Sequence, residues 1–138
     1  MIILDTNVLS ELMRPSPSDD VVAWLSGQPQ QSLFTTTVTE AEIRYGLALL
    51  PSGARRDALE SAAEGLFAED LAGRVLPFDR SAAAAYALIA ADRRAAGRPI
   101  AQLDAQIAAI ARSRRAGVAT RNVTDFSGCG VHVLDPWG

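Results

Sequence analysis

At 138 residues the chain has room for one compact core and too little for two, so a single domain over 1–138 is expected. Apolar types make up 49% and charged types 21%, with a formal net charge of −3, a balance that excludes disorder and fibrous repeats. One cysteine, Cys129, cannot close an intrachain disulfide, and with His132 as the sole histidine a nitrogen–sulfur zinc site would need unusual help from carboxylates. The composition suits a reducing, cytoplasmic setting.

Met1 to Asp5 is too short an apolar run, with the wrong flank, for a secretory signal. The alanine-rich run Ser81–Ala91 is broken by Asp92, Arg93 and Arg94 well before the roughly 20 residues that a bilayer span requires, so no membrane association is expected. Charge is uneven: residues 1–70 carry four Arg and eleven acids, whereas residues 71–138 carry nine Arg and five acids. A polyanion could therefore meet a basic face. All 13 basic residues are arginine. The lack of lysine excludes Walker-type phosphate loops and receiver-type phosphoacceptor sites, both of which use an ammonium group.

In chain order, Ile2-Ile3-Leu4 reads as a strand buried on both faces, followed by Asp5 and a helix through Met13. Arg14-Pro15-Ser16-Pro17 is a loop, and Ser18 is placed to cap a helix bearing Asp19, Asp20, Val22, Trp24 and Leu25. Ser32–Thr36 is a second strand, and Thr37 with Glu40 suggests a capping box for a helix to about Leu50, stopped by Pro51. Arg55–Leu71 is helical. Val75–Phe78 is a third strand that Pro77 confines to an edge or an end. Ser81–Ala96 is a helix ended by Gly97, and Gln102–Ala116 another ended by Gly117. Val118–Thr120 and Val131–Leu134 complete about five strands. This alternation predicts an α/β fold, a parallel sheet with helices on both faces.

In such a sheet, reactive groups collect where strands end and strand order reverses. Asp5 follows the first strand; Thr120, Arg121 and Asn122 follow the fourth, with Asp125 close behind. Glu42 and Asp104 lie early in their helices. Glu40 has Arg44 four residues on and reads as a surface pair, whereas Glu42 shares a helical face with Val38, Tyr45 and Gly46. Asp104 stands among Ile100, Ala101, Ile107 and Ala108; Asp92 passes the same test but occupies the polar end of its helix. Two carboxylates ~5 Å apart repel by roughly 3 kcal/mol at an effective dielectric of ~20, so converging acids call for a divalent cation. Oxygen-only ligands select Mg²⁺ or Mn²⁺, and water made more acidic by such an ion can attack a phosphodiester.

The stretches Ile3–Asn7, Thr39–Gly46, Gly97–Ile100 through Asp104–Ala109, and Thr120–Phe126 resemble the PIN-domain ribonucleases, and within them the VapC-type toxins of the FitB-like branch. The motifs occur in the family's order over essentially the whole chain. The resemblance implies a three-layer PIN-like fold and a Mg²⁺-dependent endoribonuclease, with Mn²⁺ able to substitute, that leaves a 5′-phosphate and a 3′-hydroxyl. It implies a small cognate antitoxin that blocks the active site, DNA contact only through that antitoxin, and a homodimer or toxin–antitoxin hetero-oligomer. By motif match, Asp5, Glu42, Asp104 and Asp125 become the catalytic and metal-binding quartet, with Thr6, Thr120 and Asn122 in support. Some relatives carry an acid where Asn122 stands, so the fourth role is divided between Asn122 and Asp125.

Arg93, Arg94, Arg98, Arg112, Arg114, Arg115 and Arg121 flank the proposed site; a solvated helix face accounts for most, and Arg121 is the favoured RNA-phosphate contact. Gly128-Cys129-Gly130 reads as a turn and His132 as a structural residue within a strand. Trp24, Leu25, Leu47, Leu49 and Leu50 divide between core and interface. Two other readings stand beside the toxin: a catalytically weak module that mainly holds an antitoxin-type partner, and a nuclease acting on DNA or in RNA processing.

Overall fold

The computed structural model describes residues 1–138. Its strands are β1 (Ile2–Leu4), β2 (Leu33–Thr36), β3 (Val75–Leu76), β4 (Gly117–Ala119) and β5 (Val133–Leu134). The helices are α1 (Thr6–Leu12), α2 (Asp19–Ser26), α3 (Thr37–Ala48), α4 (Ala54–Glu64), α5 (Arg80–Ala95) and α6 (Gln102–Ser113). All strand pairs are parallel, in the order β3-β2-β1-β4-β5. The chain steps outward from β1 to β3, then crosses back to place β4 on the other side of β1. The order thus reverses at β1, leaving a crevice at the carboxyl ends of β1 and β4.

Period-2 alternation divides the sheet's side chains between two cores. Ile3 and Val118 face a cluster built largely by α5 and α6, including Ile89, Ile107, Ile110 and Phe126. Leu4 and Ala119 face the opposite cluster, with Val8, Leu9, Val21, Ile43 and Leu47 from α1, α2 and α3. The architecture is therefore the expected three-layer α/β sandwich. β3 is at the edge, as Pro77 requires.

Local differences from the sequence reading have identifiable causes. β2 stays extended through Thr36, which pairs with Leu76, so Thr36 rather than Thr37 caps α3; its Oγ1 accepts the Thr39 N–H at 3.1 Å. Glu40 instead accepts from Arg44 at 2.8 Å. Ser18 stands at the cap of α2 without a side-chain bond there; its own N–H donates to Glu11 at 2.9 Å. The predicted helix Arg55–Leu71 is α4 followed by a wider π turn over Gly65–Asp70, with Phe67 buried.

α6 stops at Ser113 rather than Ala116, because Arg115 takes a left-handed conformation (φ 55°) that redirects the chain into β4. Gly117 therefore opens a strand instead of ending a helix, where a Cβ would come within 3.3 Å of the His132 carbonyl. His132 lies exposed just before β5, contrary to its expected place in the strand, and contributes its carbonyl to the Val118 N–H at 2.8 Å. Gly128 and Gly130 form the expected turn, both at positive φ. On α3, Leu47 is core and Tyr45 is 68% exposed, and Leu49, just past the helix end, is 67% exposed.

Because the Thr36 hydroxyl satisfies an otherwise free helix N–H at the base of α3, Thr36→Ala should lower stability by about 1 kcal/mol, read as a shift in urea midpoint with unchanged slope.

Candidate active site

Asp5 is the residue at which β1 becomes α1. It takes the extended conformation of a helix cap (φ −70°, ψ 164°) and is 4% exposed. Its Oδ1 accepts the Thr6 N–H at 2.8 Å, and its Oδ2 accepts the Thr120 hydroxyl at 2.8 Å and the Asn7 amide at 3.4 Å. Thr120, at the end of β4, also accepts the Asn122 N–H at 3.0 Å, while Asn7 Oδ1 accepts the Arg121 N–H at 3.2 Å. Residues 5–7 and 120–122 are thus stitched together across adjacent strand ends.

Glu42 reaches the same place from α3. Its Oε1 accepts the Thr6 hydroxyl at 2.9 Å, and since that proton is committed, the buried Thr39 hydroxyl 3.1 Å away is the donor to Thr6 Oγ1. Asp104, half-buried in the first turn of α6, completes the wall. Asp5, Glu42 and Asp104 line one cleft of about 580 Å³, together with Thr6, Asn122 and Arg121. Asp125 is exposed on the short 3₁₀ turn Val123–Phe126 and lies outside that lining. Its charge nevertheless raises the proton affinity of both Asp5 and Asp104. Asn122 thus lines the cleft, whereas Asp125 stands beside it.

Burial pushes the Asp5 carboxyl above its ordinary range, against the Thr120 hydroxyl and Thr6 N–H, with Glu42 and Asp125 adding to the rise. Asp104 is pushed up to about 6 by burial first, then by Asp5 and Asp125, with Arg93 opposing. No three acidic, histidine or cysteine side chains are drawn together as a ready-made cage. Magnesium needs none, because it keeps several waters and binds through one or two carboxylates. The all-oxygen donor set and the net repulsion left at Asp104 fit such an ion; Asp5 and Asp104 are the central candidates to hold it, with Glu42 beside them.

The neighbours of Glu42 are not what the helical-face reading supposed, since Tyr45 and Gly46 are exposed; Thr6 is what fixes it. Asp92 is exposed, as its place at the helix end suggested. Sequence reasoning passed over Glu11, which is 6% exposed and lines the cleft. The Ser18 N–H holds its carboxyl below the usual range, helped by Arg14 at 3.2 Å. The i,i+3 spacing of Glu11 and Arg14 was a usable signal for that pair. Trp137 also lines the cleft, with the Arg121 guanidinium 5.1 Å from its ring centre, a pairing with no local sequence cue. Arg93, grouped above with solvated arginines, is instead buried. No helix is long and apolar enough to cross a membrane.

A cleft of oxygen ligands at the switch point of a three-layer parallel sheet is the arrangement of PIN domains, and residues 2–127 match that family: the chain belongs to it. It is 42% identical over 137 residues to the VapC ribonuclease Y4jK of Sinorhizobium fredii, covering 99% of this chain and 98% of that protein. Toxin FitB of Neisseria gonorrhoeae is also 42% identical over 137 residues, covering 99% of each. The structure of FitAB bound to an IR36 DNA fragment superimposes with a TM-score of 0.93 at 41% identity, covering 100% of this chain and 96% of that one.

The Asp104 shift fixes a pH dependence for the metal-free protein. The folded state keeps this proton up to about pH 6, whereas an ordinary Asp side chain loses it near 3.8. Between those values the folded chain binds more protons than the unfolded chain, so stability falls as pH rises through the window and stays lower above it. Asp104→Asn should therefore stabilise the metal-free protein above pH 6 by about 1–2 kcal/mol, after allowing for solvent screening at a half-buried group, and flatten the profile. Urea melts in chelator from pH 4 to 8 read this directly; a loss of about 2 kcal/mol would instead mark Asp104 as half of a structural ion pair.

Proposed function

We propose that the chain is the toxin of a toxin–antitoxin pair and acts in the cytoplasm as an endoribonuclease requiring Mg²⁺, with Mn²⁺ as a substitute. The observation that carries this reading is the convergence of Asp5, Glu42 and Asp104, from three separate segments, on one cleft where none of them has an ion-pair partner. The relatives named as a VapC ribonuclease and a FitB toxin support it along nearly the full chain.

Asp5 and Asp104 are assigned as the main metal ligands, with Glu42 and Asp125 completing or positioning a second, weaker site. An ion held there would supply positive charge beside the phosphate and make a bound water more acidic. The chain supplies the rest. The Thr120 hydroxyl and Thr6 N–H hold both oxygens of Asp5, leaving its remaining lone pairs for the cleft. The Thr39–Thr6 hydroxyl relay does the same for Glu42, and Asn122 presents an uncharged side chain where a further negative charge would add repulsion. Arg121 makes no ion pair and stacks on Trp137 at the cleft wall, suited to an RNA phosphate.

An apolar groove of about 680 Å³, lined by residues including Met13, Ile43, Leu47 and Leu59, shares Thr6 and Glu42 with the cleft. A segment of a small antitoxin lodged there would cover the acids. The complex of FitAB with DNA supports an assembly in which contact with DNA comes through the antitoxin, in a hetero-oligomer or around a toxin homodimer.

The test uses protein freed of any antitoxin, with structured RNA and DNA substrates in Mg²⁺, in Mn²⁺ and in chelator. RNA should be cut at internal positions only with metal, and Asp5→Asn should lower kcat/KM by at least about 100-fold. Equal cutting by wild type and Asp5→Asn would assign the activity to a contaminant. Preferential cutting of DNA would favour the alternative nuclease, and partner binding without any cleavage the weak module.

A further inference from the structure

Arg93, in the last turn of α5, is the most unusual charged group outside the cleft wall. It is 7% exposed, yet no carboxylate lies within ion-pair distance. A buried cation is costly unless hydrogen-bonded, so its partners indicate what holds it there. They are backbone carbonyls. Nε donates to the Arg98 carbonyl at 2.7 Å, and Nη1 to the carbonyls of Asp125 at 2.9 Å and Ser127 at 3.0 Å, with Cys129 Sγ at 3.5 Å.

Most of these acceptors belong to residues 122–129, the turn that brings Asn122 to the cleft wall and Asp125 to its flank. The turn has little regular structure of its own: one short 3₁₀ turn, then Gly128 at positive φ. Phe126 anchors it by its fully buried ring, and exposed Arg98 adds an outer contact to Ser127 Oγ at 2.5 Å. Arg93 is the internal clamp, and its charge also opposes the repulsion felt by Asp104.

We propose that Arg93 is a positioning residue of the active site, tying the 122–129 turn to α5 and so fixing Asn122 and Asp125 against the cleft. The role rests on the reading of that cleft as catalytic, but its first readout does not. In the metal-free full chain, Arg93→Met should raise amide hydrogen exchange in the turn by about tenfold or more, while β1, β4 and α6 stay protected. Arg93→Lys keeps the charge and can reach the Asp125 and Ser127 carbonyls with one ammonium; it should recover most of that protection. In RNA cleavage at saturating Mg²⁺, Arg93→Met should lower kcat by about tenfold with KM within about twofold, and Arg93→Lys should recover most of the loss.

Unchanged exchange in the turn, or exchange raised equally across the sheet, would make Arg93 an ordinary core residue and overturn the proposal. A released turn with wild-type kcat would overturn it as well. Wild-type protein that cuts no RNA would count against the enzymatic reading instead, leaving the clamp itself to be judged by exchange.

Discussion

Carboxylates crowded at the end of a parallel sheet repel one another, and the arrangement of this molecule follows from holding them there. Asp5 is 4% exposed, a position a lone anion does not tolerate without donors, and the chain supplies them from both adjoining segments: Thr6 N–H from α1 and the Thr120 hydroxyl from the end of β4. Those donors soften the cost without cancelling it. Burial and the neighbouring acids still lift Asp104 to about 6. A hard cation bound among these carboxylates would release this tension.

The topology makes the convergence possible. Only where strand order reverses do the ends of β1 and β4 open side by side, and α3 and α6 bring Glu42 and Asp104 to the same opening. The threonines show how closely sheet and site are linked. Thr35 bonds the Leu4 carbonyl beneath Asp5, Thr36 caps α3, and Thr39 supports Thr6 under Glu42. All three are fully buried, so each hydroxyl is an internal strut. The outer side of the site is held differently, by the Arg93 guanidinium grasping backbone carbonyls of the 122–129 turn.

Much of this was legible in the sequence. Five short apolar runs separated by helical stretches are enough to specify a parallel three-layer fold, and an acid directly after the first strand marks the switch point. Asp5 and Asp104 were legible because a strand end and an apolar helix face are local patterns; Glu42 was singled out by a face that is in fact exposed at Tyr45 and Gly46, and it is the distant Thr6 that holds it. The capping residue of α3 was misplaced by one position because strand pairing with Leu76, a long-range contact, decides where β2 ends. The end of α6 was misplaced because a left-handed Arg115 rather than a glycine turns the chain. Arg93 and Trp137 carried no signal at all. An arginine beside other arginines on a helix looks solvated, and its burial depends on a turn more than 30 residues away that folds over it.

The central claim is that the acidic cleft is strained without a cation and relaxed with one. Calorimetric titration of Mn²⁺ into the metal-free protein near pH 6, repeated in buffers of different ionisation enthalpy, tests it most directly. The account predicts saturable binding accompanied by proton release, with both largely lost in Asp5→Asn. Mn²⁺ binding that releases no protons and is indifferent to Asp5→Asn, or no binding at all, would contradict it.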